Sequence, residues 1–112
     1  NALGRYWNFD IENIVSGVAF DVRTEPKTRE MFIFLFAQYG SLNVFEPVKE
    51  KLLELKGDVK KDKWYHGRLV EMILKNRNWH LGNNQKAELA KCMLTERDSK
   101  EFLELVSANE MN

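Results

Sequence analysis

Cysteine occurs once in this 112-residue chain and proline twice. A single thiol excludes an internal disulfide and fits a reducing compartment, so packing alone must hold the fold. An excess of one charge is also missing, because 17 Lys and Arg balance 17 Asp and Glu. Whole-chain charge therefore argues neither for nor against a nucleic-acid partner. Long apolar runs are absent too. The longest covers residues 31–37, seven in a row, whereas a bilayer-spanning helix needs about 20. No membrane partner is expected, no signal or transit segment is legible, and an intracellular location, cytoplasmic or nuclear, is expected.

Chemistry-bearing constellations are just as scarce. His66, His80 and Cys92 are the only soft metal ligands besides methionine, and their spacings match no zinc pattern. The two histidines read as surface or interface residues, and Cys92 as a small buried hydrophobe. There is no phosphate-binding glycine loop and no Ser-His-Asp set. Asp10 with Glu25-Pro26-Lys27 matches the carboxylate and Glu-x-Lys arrangement by which some nucleases hold a divalent ion. Proline interrupts the element that should present that pair, and so short a triplet is common by chance. No catalytic residue, metal or cofactor is expected.

What the chain does hold is apolar and aromatic material, 44% and 12% of its residues, which excludes global disorder. One domain spanning residues 1–112 is expected, with an aromatic arm at 1–9 and a frayed end at 107–112. Residues 31–37 are its natural centre. Pro26 suits a first helical turn, Met31, Leu35, Ala37 and Gln38 are good helix formers, and Gly40 fits a left-handed cap. A helix over 26–39 would then be apolar on nearly every side, with Phe34 buried at its hub. The alternative is an α+β fold with a β-hairpin at 18–36, which the three Phe and one Ile of the run would suit.

The remaining segments read as amphipathic helices. Asp10 can cap one that carries Ile11, Ile14, Val15, Val18 and Ala19 on one face. Phe45, Val48, Leu52 and Leu55 recur at intervals of three and four, after Asn43 and Glu46 as a capping pair and before Gly57 as a stop. Asp62 can cap residues 63–77, with Tyr65, Leu69, Met72 and Ile73 inward. Asn84 can cap residues 85–95, and Asp98 with Glu101 can open a last helix bearing Phe102, Leu105 and Val106. The expected fold is an all-α bundle of about five helices packed around residues 26–39.

Charge is unevenly placed within this balance. Residues 56–91 hold nine Lys or Arg against four Asp or Glu, an excess of five, while both flanks are acidic. At about 100° per residue, Lys61, Arg68 and Lys75 align on one strip with Trp64 and Glu71, away from Tyr65 and Leu69. A large aromatic among cations suits a protein interface, or phosphate contacts with base stacking. A purely solvated charged face is the competing reading. Residues 85–103 resemble a helix-turn-helix only loosely. Leu94 stands at the turn glycine, and Glu96 and Asp98 open the second helix, where they would repel phosphate. The expected function is a non-catalytic helical adaptor that recognises another protein, one with an acidic surface. The alternative is an accessory domain binding DNA or RNA through residues 56–91. Lys61, Trp64, Arg68, Lys75, Arg77 and Trp79 are the expected partner-binding residues.

Overall fold

The computed structural model describes residues 7–57 and 62–110. Among them are six α-helices and no strand: α1 (Phe9–Ala19), α2 (Pro26–Tyr39), α3 (Phe45–Gly57), α4 (Lys63–Lys75), α5 (Asn83–Ala90) and α6 (Glu96–Glu110). A short 3-10 turn, Leu42–Val44, leads into α3. The all-α expectation is met, with six helices among the described residues where about five were expected, and the hairpin alternative at 18–36 is overturned. Pro26 occupies the first turn of α2, where its missing N–H costs nothing. Residues 18–22 meanwhile close α1 and enter a turn. Helix α6 runs to Glu110, and residues 111–112 of the end expected to fray lie outside the described residues.

Most helix starts lie near their expected places, but several caps differ. Asn8, not Asp10, caps α1 by accepting from Ile11 N at 2.9 Å. Asp62 caps α4 as expected, accepting from Tyr65 N at 3.0 Å. At α5 the Gly82 N–H donates to the Gln85 side chain, so the helix opens before Asn84. At α6 the Thr95 hydroxyl accepts from Asp98 N at 3.0 Å, placing the cap three residues before Asp98. A cap offers an acceptor to the amide two or three residues on. Where two short polar residues lie close together, the sequence does not separate them.

The end of α2 is built differently from expectation. Gly40 has φ −62° and ψ 137°, which is extended rather than left-handed backbone. Its lack of a side chain serves close packing, because a Cβ there would lie 2.7 Å from Phe36 O. The buried Asn76 side chain, just past α4, donates to Phe36 O at 2.6 Å and Gly40 O at 3.0 Å. The last carbonyls of α2 are thus satisfied by the far end of its neighbour.

Helix α2 packs chiefly against α1 and α4. Helix α4 also meets α3 and α6, and α5 packs on α6. Phe36, Tyr65, Leu52, Leu69, Met72 and Leu89 are among the fully buried side chains. Two buried polar groups tie the layers together. Glu12 accepts from Trp7 Nε1, Ser41 N and Ser41 Oγ at 2.9, 2.9 and 2.6 Å, joining the N-terminal arm, α1 and the link after α2. Arg29 lies 4.2 Å over the Tyr65 ring, and the Tyr65 hydroxyl donates to Ala19 O at 2.6 Å. Trp7 meets Phe36 edge-on at 5.6 Å. Phe9 faces outward, and Tyr6 lies outside the described residues.

The uniform burial expected of residues 31–37 is corrected. Ile33, Leu35 and Phe36 are buried, but Met31 is 57% and Phe34 61% exposed. The physical reason is the number of neighbours. With its main partners on two flanks, α2 keeps one side in solvent. Among the described residues no helix is long and apolar enough to cross a membrane.

Candidate functional site

The outward side of α4 starts from Trp64 and Arg68, one turn apart. Trp64 is 43% exposed, and the Arg68 guanidinium sits 5.6 Å from the centre of its ring. Two carboxylates fix that guanidinium. Arg68 Nη1 lies 2.8 Å from Glu71 Oε2 on the same helix, and Arg68 Nε lies 3.5 Å from Glu30 Oε1 on α2. Exposed ion pairs of this kind stabilise a fold by about 1 kcal/mol or less. Their effect here is to restrict the long Arg68 side chain and so hold a cation beside the indole.

The Arg68–Glu30 contact also marks where the outer faces of α4 and α2 join. One turn beyond Glu30 on α2 is Phe34, and one turn before Arg68 on α4 is Trp64. At 100° per residue, Met31 and Phe34 share a solvent-facing stripe with Lys27 and Gln38, all four exposed. The two helices therefore present Phe34, Met31 and Trp64 around a fixed ion pair. Sequence reasoning missed Glu30, Met31 and Phe34 as surface residues. The available signal was Lys27 and Gln38, polar residues bracketing Met31 and Phe34 at i, i+4, i+7 and i+11, which mark a solvated side within an apolar helix.

The six expected partner-binding residues divide. Trp64, Arg68 and Lys75 lie on α4, although Lys75 is eleven residues beyond Trp64, about 17 Å along the axis. Arg77 is exposed just past the end of α4. Lys61 lies outside the described residues. Trp79 is a correction: it is 7% exposed and packs against Phe45, with ring centres 6.2 Å apart. An aromatic in a loop rich in Asn and Gly can dock on the core when the loop folds back, as this one does.

His66 is a second correction, being buried rather than at the surface. Its ring Nε2 lies 2.9 Å from Cys92 O. A carbonyl only accepts, so this pairing places a proton on Nε2. Cys92 is buried, as expected, and burial pushes its thiol above the ordinary value. A protonated, enclosed thiol is a poor nucleophile.

On its opposite side α4 forms one wall of a groove with α6. Gly67, Val70 and Leu74 face Phe102 and Leu105 across a space of about 260 Å³ floored by Met93. Lys63, Asp98 and Glu101 stand at its edge. The sequence signal was a second apolar row on α4, His66-Val70-Leu74, broken by Gly67. No protein family, characterised protein or solved structure matches this chain.

Proposed function

We propose that the chain is a non-catalytic helical binding module that recognises another protein through the joined outer faces of α2 and α4. The observation that carries this reading is the exposure of Phe34 and Trp64 on either side of the Arg68–Glu30 contact. Interface hot spots are enriched in tryptophan and arginine, and side chains already held in place lose less entropy on binding. Lys75 and Arg77 at the edge favour an acidic surround on the partner, chiefly by steering its approach. The alternative partner, DNA or RNA, is less well served. Glu30 and Glu71 neutralise the Arg68 guanidinium beside Trp64 and would face phosphate oxygens.

A photo-crosslinking residue placed at Phe34 or Trp64, with the exposed Leu53 on α3 as the control position, tests the reading in cells. The expected outcome is one discrete protein adduct from both positions, absent from the control and lost with Arg68→Ala. Trp64→Ala should weaken the isolated complex by about 2 kcal/mol or more, and Lys75→Ala by less. Equal adducts from all three positions, or none, would overturn the assignment. Titration with duplex and single-stranded nucleic acid at two salt concentrations separates the alternative, which requires affinity that falls steeply with salt.

A further inference from the structure

We infer that the groove between α4 and α6 takes a cationic amphipathic helix supplied by another protein, at a second site distinct from the α2/α4 face. Four observations on the groove point the same way. Its volume, about 260 Å³, falls below the roughly 300–1,000 Å³ that small-molecule sites enclose. It is therefore better filled by two or three side chains inserted from an elongated partner than by a ligand it could surround.

The second observation is length. The α4 wall runs from residue 63 to residue 74, about 17 Å at the rise of an α-helix. Three turns of a partner helix, with apolar anchors at i, i+4 and i+7, cover that distance. The third is Gly67, halfway along the wall, where an added Cβ would meet nothing within 4 Å. Glycine mid-helix is otherwise unfavourable, and here its missing side chain leaves room for a partner to approach the α4 backbone. Leu105 opposite is 44% exposed, an apolar residue available for such a contact.

The fourth observation selects the charge of the occupant. Asp98 and Glu101 stand on the α6 edge, both exposed, and neither has an ion-pair partner among the described residues. Among the described residues that line the groove Lys63 is the one Lys or Arg, against Asp98 and Glu101, so this described lining is acidic by one charge. A helix with Leu-type anchors and Arg or Lys beside them matches this edge.

The test uses two synthetic helical peptides of about four turns, with leucines at i, i+4, i+7 and i+11. One carries arginines along the edge beside the leucines, and the other carries glutamates there. Amide chemical shifts of the labelled full chain are followed during titration. The inference expects shifts centred on Gly67, Val70 and Leu105 with the arginine peptide, and affinity at least tenfold weaker with the glutamate peptide. Gly67→Leu should fill the groove and abolish binding while the chain remains folded with an equal or higher melting temperature. Glu101→Lys should narrow or reverse the preference between the peptides. Trp64→Ala should leave both affinities unchanged, which separates this site from the α2/α4 face. Equal affinity for the two peptides, shifts centred elsewhere, no shifts at millimolar peptide, or binding that survives Gly67→Leu would each overturn the inference.

Discussion

Helices α2 and α4 lie side by side and are nearly equal in length, 14 and 13 residues, yet they place their apolar side chains differently. Helix α2 carries the unbroken apolar run and still leaves Met31 and Phe34 in solvent. Helix α4 is interrupted by Lys63, Arg68, Glu71 and Lys75, but it buries Tyr65, His66, Leu69, Met72 and Ile73. The difference lies in their surroundings. Helix α4 meets α2, α3 and α6, whereas α2 has α1 and α4 as its principal neighbours. The hydrophobicity of a segment sets how much it can bury, and the number of elements around it sets how much it does. The surplus on α2 is what makes a surface available for binding.

The largest effect that tests this contrast sits within α2 itself. Phe36 is fully buried against Trp7 and Phe20, so Phe36→Ala should cost about 3–5 kcal/mol. Phe34→Ala, two residues earlier, should change stability by no more than about 0.5 kcal/mol, since little contact is lost and alanine is the better helix former. Denaturant unfolding of both variants checks the pair. Similar losses for the two would mean that Phe34 is covered after all.

Next comes the link between α1 and the end of α2. Glu12 is buried and satisfied by three donors. Glu12→Ala removes the shared acceptor and strands Trp7 Nε1 and the Ser41 donors, which should cost about 2–3 kcal/mol. Glu12→Gln should cost less, because its amide oxygen keeps part of the acceptor role. Equal losses from the two, measured as unfolding midpoints, would contradict the role of the acceptor.

Between α2 and α4 the Tyr65 ring carries a pH signature. Burial pushes its hydroxyl up to about 12, against an ordinary value near 10. The folded state thus favours the neutral phenol. Its contribution is fully present below about pH 10 and is lost as pH rises through 12. Tyr65→Phe should cost roughly 1 kcal/mol at neutral pH, through the lost bond to Ala19 O. It should also flatten the decline of the unfolding midpoint above pH 10. Parallel alkaline profiles for variant and wild type would refute the assignment.

The same surroundings explain how much could be read in advance. Helix α4 was legible because its period, its Asp62 cap and its inner row of Tyr65, Leu69, Met72 and Ile73 agree. The α2 helix was legible from Pro26 and its helix formers, but its exposed side was not, since an apolar run carries no local mark of which neighbours are missing. Trp64 and Arg68 were found as outward residues because polar positions surround them. Trp79 and His66 were misplaced because their burial depends on contacts with Phe45 and Cys92, 34 and 26 residues away in the chain. The Glu30–Arg68 contact, which defines the candidate surface, spans 38 residues and has no local signature.

The smallest stability effects should come from the two outer sides of α4. Gly67→Ala meets nothing and should raise stability by about 0.5–1 kcal/mol, through helix propensity alone. Trp64→Ala should change it by no more than about 0.5 kcal/mol, because two opposed terms nearly cancel. Removing the indole forfeits its contact with the Arg68 guanidinium, worth about 0.5–1 kcal/mol at an exposed site. Alanine recovers a comparable amount as the stronger helix former, and Arg68 keeps its carboxylates on Glu71 and Glu30. A chain in which Trp7 and Trp79 are replaced by Phe isolates the remaining indole. Its emission should be red-shifted and open to collisional quenching by iodide. A large loss of stability from Trp64→Ala, or blue-shifted and unquenched emission, would place Trp64 with the core, and the contrast between the inner and outer sides of α4 would fail.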